Sequence, residues 1–298
     1  MTHFEFEIKT ADGLKLHGQG WEPEGEAKAA VCLVHGMGEH SGRYVHMAEA
    51  FNRAGTALIA FDLRGHGRSE GKRGHAPNYE ALMSDIFQLL ETAKQRYPDL
   101  PVFLYGHSLG GNLAIHYALR HRPNLAGVVA SAPLLRTAFK PPAWKMVLLR
   151  SMYRLRPGFT LPRGVDDTAL SRDVKVVQAY QNDPLVHDRI SARLAIDMLR
   201  VGEWNVEHAV EFPLPLLLMH GDADRITSAQ ASREFASRAK DQCTLKIWDG
   251  LYHELHNEPF MVNLHGEPFM VNLHGEPEQS EVLAHALEWM KQQSDPLL

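Results

Sequence analysis

Cysteine is nearly absent from these 298 residues: there are two, Cys32 and Cys243. Two cysteines cannot build a disulfide framework. Cys32 lies inside an apolar run and reads as buried, so a reducing cytoplasm is the expected setting. No hydrophobic stretch approaches the length of a membrane span. The opening MTHFEFEIKT has acidic residues and no apolar run, so it does not read as a signal peptide. Basic excess is missing too. The formal net charge is -5, and nucleic-acid binders carry a basic face, so no nucleic-acid partner is expected. What remains is an ordinary globular composition, with chain enough for one large α/β domain or two small ones.

Short apolar runs alternate with helical periodicity. Phe4 to Lys9 alternates apolar and charged residues, as a half-buried strand does. Ala29 to Val34, Ala57 to Asp62, Val102 to Tyr105, Leu125 to Ser131, Leu214 to Met219 and Thr244 to Trp248 are apolar on both faces. That pattern predicts a mainly parallel sheet covered by helices. Helices are expected over Tyr79 to Tyr97, Leu109 to Arg120, Ala229 to Ala239 and Ser280 to Gln292. Early antiparallel strands followed by β-α alternation give one doubly wound sheet. From about Leu134 to Glu211 no strand is expected, only helical pieces. Helices inserted between core strands read as a cap over the C-terminal sheet edge, where open α/β sheets bind ligands.

Val102 to Gly111 reads VFLYGHSLGG: a strand, then Gly106-His107-Ser108-Leu109-Gly110, then a helical pattern. This is the G-x-S-x-G nucleophile elbow. The serine needs a sharp turn, and glycines on either side avoid side-chain clashes with strand and helix. Ser108 then stands at a helix N-terminus, where the dipole favours a developing oxyanion. A serine needs a base, and the base needs an orienting acid. The elbow places both after later strands, in the order Ser, Asp, His. His253 follows the last strand and is the base candidate. Asp222 and Asp224 both follow the preceding strand, and chemistry alone does not choose between them. The oxyanion donors are expected to be the N–H of Leu109 and that of Met37, in the loop His35-Gly36-Met37-Gly38 after the first parallel strand.

HGMGEHSGRY (35–44), FDLRGHGRS (61–69), GHSLGG (106–111), YQNDPLV (180–186), HGDADRI (220–226) and GLYHELH (250–256) together resemble the monoacylglycerol lipase and lysophospholipase group of α/β-hydrolases. The resemblance covers nearly the whole chain, in order. It implies the α/β-hydrolase fold: a mostly parallel central sheet flanked by helices, with a helical cap. The core is expected at 1–133 and 212–298, and the cap at 134–211. The resemblance also implies Asp224 as the acid, supports Met37 and Leu109 as oxyanion donors, and maps head-group recognition onto Glu39, Tyr180 and His256. Asp62 and Arg64 are expected to brace the cleft.

The expected activity is hydrolysis of lipid-like esters, monoacylglycerols first, with no metal or cofactor. A broad carboxylesterase or lysophospholipase is the alternative. A non-catalytic binding protein of the same fold would have no need of all three triad groups. The stretch PPAWKMVLLRSMYRL mixes apolar side chains with Lys145, Arg150 and Arg154. Its plain reading is a cap helix with a packed apolar face; its sharper one is transient contact with a membrane surface.

Phe260 to Pro268 recurs unchanged as Phe269 to Pro277. A metal ladder through His256, His265 and His274 lacks ordinary ligand spacing. A hairpin of the two FMVNL segments is a second reading. An insertion tolerated in a surface loop, 260–277, is the plainest.

Overall fold

The computed structural model describes residues 1–259 and 281–294. The duplicated segment, and the hairpin and loop readings placed on it, fall outside the described residues. The elements run β1 (Thr2–Lys9), β2 (Lys15–Glu22), β3 (Ala29–Val34), α1 (Val45–Arg53), β4 (Thr56–Phe61), α2 (Tyr79–Arg96), β5 (Val102–His107), α3 (Leu109–His121) and β6 (Gly127–Ser131). They continue with α4 (Ala143–Leu155), β7 (Thr160–Pro162), α5 (Val174–Asn182), β8 (Arg189–Ser191), α6 (Ala192–Glu207), β9 (Leu216–Gly221), α7 (Ala229–Ala239), β10 (Cys243–Trp248) and α8 (Glu281–Ser294).

Eight strands form one sheet in the order β1-β2-β4-β3-β5-β6-β9-β10. The pairs β1–β2 and β2–β4 are antiparallel; all others are parallel. The parallel strands are buried on both faces, which is why they read as continuous apolar runs. In β3, Ala30, Cys32 and Val34 join the core under α2, α3 and α7. Ala29, Val31 and Leu33 join the core under α1 and α8. The two-residue period of a strand thus feeds both layers.

Strand β2 is the part of this sheet that composition hides. Its glycines, Gly18 and Gly20, lower strand propensity. A Cβ at Gly18 would lie 2.3 Å from the Phe6 ring, and one at Gly20 equally close to Phe4. The glycines make room for aromatic rings from β1, so cross-strand packing overrides propensity.

Between β6 and β9 the chain forms α4, α5 and α6. The expectation of a strand-free insertion is corrected here: β7 and β8 pair antiparallel over three residues. Runs this short carry no readable alternation. The insertion is fastened to core loops. Ser191 N–H donates to Gly74 O at 2.8 Å, and His40 Nε2 lies 2.8 Å from Asp183 Oδ2. Because β3, β5, β9 and β10 are parallel, the loops after them leave from one sheet edge, beneath the insertion. Among the described residues no helix is long and apolar enough to cross a membrane.

Candidate active site

Ser108 links the end of β5 to α3 with φ 53° and ψ -113°, a conformation that L-residues rarely adopt. Its surroundings enforce this. A Cβ at Gly106 would meet Gly110 O at 2.1 Å, and one at Gly110 would meet Val34 O at 1.9 Å. Strand and helix therefore approach more closely than any side chain permits. The turn is also pinned by Ser108 N–H to Ser131 O and Leu134 N–H to Ser108 O, both 3.0 Å.

His253, after β10, faces the same cavity as Ser108. Its Nδ1 lies 2.7 Å from Asp224 Oδ2, which leaves Nε2 as the nitrogen free for proton transfer. The Asp224 carboxylate is heavily supported. Oδ2 also receives Thr227 Oγ1 at 2.7 Å and lies 3.1 Å from His220 Nε2. Oδ1 accepts the N–H groups of Ile226 and Thr227 at 2.7 and 3.0 Å. Burial opposes its charge, but His253 and the hydrogen bonds outweigh that and hold its pKa well below the usual carboxylate value. For His253 burial again works against the charged form, and the Asp224 carboxylate reverses it, raising the pKa. Asp222 is exposed and accepts Gly250 N–H at 2.7 Å. Of the two aspartates left open by chemistry, Asp224 reaches the histidine and Asp222 closes a turn.

Met37 and Leu109 both line the cavity beside Ser108. Leu109 is the first residue of α3, where backbone N–H groups have no intrahelical acceptor.

Glu39 lines the cavity, and its carboxylate is already bonded three times within the wall. It accepts Gly36 N–H at 2.6 Å, Tyr44 Oη–H at 2.8 Å and Arg43 Nη1 at 2.8 Å. Arg43 also forms a two-pronged pair with Glu254 at 2.7 and 2.8 Å. Sequence reasoning missed this ion cluster. Its signal was present, since Arg43 belongs to the HGMGEHSGRY segment and Glu254 adjoins His253. Burial works against the Glu254 charge, yet Arg43 overcomes it and drives the pKa far down.

Tyr180, on α5, points a buried hydroxyl with no hydrogen-bond partner toward this region. Its ring lies between the guanidinium groups of Arg43 and Arg163, at 4.7 and 5.2 Å. His256, mapped by resemblance onto head-group recognition, is not among the residues that line the cavity. Its ring stacks on Tyr44 at 4.8 Å and meets His107 edge-on at 4.9 Å. It stands behind His107, and His107 and His253 form the wall. Burial, then the neighbouring His107, push its pKa well down.

The FDLRGHGRS loop braces the cleft. Asp62 accepts Ser41 N–H and Oγ–H at 2.8 and 2.5 Å and Arg68 N–H at 2.8 Å. Arg64 pairs with Asp85 at 2.6 Å and Asp12 at 2.8 Å.

The cavity has a volume of about 420 Å³. Its polar end holds Ser108, His253, Glu39 and Tyr180. The remainder is apolar, with Trp144, Met146, Leu148, Leu149, Leu161 and Met198 supplied by the insertion. Among the described residues no group of three or more His, Cys, Asp or Glu side chains is arranged to hold a metal ion.

Residues 25–260 match the family described as "Serine aminopeptidase, S33". The chain is 34% identical over 260 residues to a monoacylglycerol lipase of Mycolicibacterium smegmatis, covering 87% of this chain and 92% of the relative. It is 37% identical over 297 residues to an uncharacterized abhydrolase domain-containing protein of Dictyostelium discoideum. That match covers 98% of this chain but only 29% of the longer relative. Among solved structures, the monoacylglycerol lipase of Paleococcus ferrophilus matches with a TM-score of 0.79 and 35% identity, over 94% of this chain and 99% of that one.

Proposed function

The chain belongs to the hydrolase family described as serine aminopeptidase S33, and on that premise we propose that it is a serine hydrolase cleaving carboxylic esters of lipid-like substrates, monoacylglycerols first. The observation that carries this reading is an apolar cavity ending on Ser108 and His253, with Asp224 2.7 Å behind the histidine.

In this reading residues 134–211 are a cap and the rest is the core. The acyl chain lies along the apolar side chains of the cap, and the alcohol group faces Tyr180. Ser108 Oγ attacks the carbonyl carbon while His253 Nε2 takes its proton. Asp224 holds the imidazolium. The carbonyl oxygen, now an oxyanion, accepts from the N–H groups of Met37 and Leu109. Collapse breaks the ester bond, and His253 passes its proton to the leaving alkoxide. Water, deprotonated by the same ring, then releases the carboxylic acid and restores Ser108.

The family description names a peptidase. An aminopeptidase must hold a charged amino terminus, which asks for an unspent carboxylate. Glu39 and Glu254, the carboxylates that line the cavity, share the one Arg43, and Glu39 also accepts from Gly36 N–H and Tyr44 Oη–H, so neither projects as a free carboxylate. A neutral alcohol suits the free Tyr180 hydroxyl better. The two cysteines are unpaired, in keeping with a cytoplasmic setting.

Helix α4 has no buried residue. Trp144, Val147 and Leu155 are 64, 62 and 78% exposed. An apolar surface beside the cavity mouth suits transient contact with lipid aggregates, through which an insoluble substrate is delivered.

The test is labelling with a fluorophosphonate followed by a glyceryl-ester chain-length series. Ser108 should be labelled, Asp224→Asn should lose activity by orders of magnitude, and Asp222→Asn should retain it. A folded protein that resists the label would sink the hydrolase reading. Preference for lysophospholipids or short p-nitrophenyl esters would move the substrate class.

A further inference from the structure

Arg163 follows β7 and reaches into the polar end of the cavity. Its Nη1 donates to the carbonyl oxygen of Met37 at 3.2 Å, and its Nη2 to Asp167 Oδ1 at 2.5 Å. The side chain is only 11% exposed. The reaction as written above gives it no task.

The loop Gly36–Gly38 is held at each of its carbonyl oxygens. Gly36 N–H donates to Glu39, and Gly36 O accepts His35 Nδ1–H at 2.7 Å. The other His35 nitrogen accepts Leu63 N–H at 2.9 Å, which fixes the proton on Nδ1. Met37 Sδ lies 3.4 Å from His66 Nε2, and Gly38 O accepts His187 N–H at 2.9 Å. The N–H of Met37 has no hydrogen-bond partner among the described residues. Gly38 N–H is likewise without a partner among the described residues, while all three carbonyl oxygens of the loop are tied.

These ties have different origins. The Gly36–Met37 peptide is held from the core, by His35. The oxygen of the next peptide, Met37–Gly38, is held from the insertion by Arg163. The insertion also presses on this point: a Cβ at Gly38 would lie 2.4 Å from His187 O. His35 and Arg163 thus hold the two peptide planes that flank the Met37 Cα. With the Met37 oxygen released, only the His35 bond opposes tilting of the plane that carries the Met37 N–H, and hydrogen bonds weaken steeply with angle.

We propose that Arg163 is a positioning residue: it clamps the Met37–Gly38 peptide to the cap and so holds the Met37 N–H in line with the oxyanion. This rests on the serine-esterase reading. It makes the cap a determinant of kcat as well as of acyl binding.

The experiment compares the parent with R163A, R163Q and R163K on a water-soluble short-chain glyceryl ester. Inhibition by a trifluoromethyl ketone, whose adduct with Ser108 places an oxyanion in the hole, is measured alongside. For R163A, kcat should fall about 10- to 100-fold, with KM within about threefold. Ketone affinity should fall by a similar factor. R163Q and R163K, which keep an N–H donor, should recover part of both. Melting temperatures check that each variant folds, and R163Q carries the test if R163A does not. Unchanged kcat, a loss confined to KM, or unchanged ketone affinity overturns the proposal. A parent without esterase activity sinks the esterase reading and this proposal together; an active parent with an unaffected R163A sinks this proposal alone.

Discussion

Helices α3 and α4 are each 13 residues long. In α3, every residue from Leu109 to Leu119 is buried. In α4, none is. Both carry leucines and a tyrosine, but α4 spreads Lys145, Arg150 and Arg154 along its length, where the arginine of α3 stands in its last turn. Surroundings separate them further. Helix α3 starts at the nucleophile and is wedged between the sheet and α6, while α4 lies over the cavity mouth with solvent on its far side. One helix must be immovable so that Ser108 keeps its backbone conformation. The other needs only to supply apolar surface.

Three changes probe this contrast. The largest effect is expected from Gly110→Ala, at the start of α3. Its methyl group would meet the Val34 carbonyl at 1.9 Å, and neither backbone can yield. A loss of about 3 kcal/mol or more is expected, with failure to fold at the extreme. A urea midpoint like the parent's would contradict the wedge.

Acid comes next. Burial and the nearby His253 lower the His107 pKa to about 4, and burial lowers His187 to a similar value. Unfolded histidine titrates near 6.5, so as pH falls below that value the unfolded chain takes up protons that the folded one refuses. Stability is therefore present above about pH 6.5 and is lost as pH falls toward 4. Each such ring adds up to about 1.4 kcal/mol per pH unit to that slope. His107 adjoins the nucleophile at the start of α3, while His187 lies in the insertion before β8, so acid acts on both. Urea midpoints at pH 7, 6 and 5 should fall in order; a flat series would refute this.

The smallest effect on stability is expected from Val147→Ser with Leu155→Ser. Both side chains are exposed and neither lines the cavity. The double change should alter stability by less than about 0.5 kcal/mol. Hydrolysis of monoacylglycerol presented in vesicles should drop several-fold, with a soluble short-chain ester unaffected. Equal loss on both substrates would show that α4 has a structural role after all.

The contrast also marks what the sequence makes legible. Parallel strands buried on both faces announce themselves as apolar runs, and the elbow follows from Gly106, Ser108 and Gly110. Strand β2 did not, because its glycines serve the rings of Phe4 and Phe6 rather than strand propensity. The choice between Asp222 and Asp224 rested on resemblance, since both are aspartates in one loop and only the fold aims one of them at His253. His256 rests on resemblance in the same way, and what the fold adds is its stacking on Tyr44 and its edge-on contact with His107. Arg163 carried no signal: its partner, the Met37 carbonyl, is backbone, and no side-chain pattern encodes it.

The Arg43–Glu254 pair has a mechanical consequence. It bolts the segment bearing His253 to the segment bearing Met37, across more than two hundred residues of chain. Beyond it, Asn257 O accepts Ser171 Oγ–H at 3.2 Å, and the Glu258 carboxylate takes the N–H of Arg172 at 2.9 Å. The chain is thus moored at three successive points before residue 260. These moorings, together with the core, set where His253 stands.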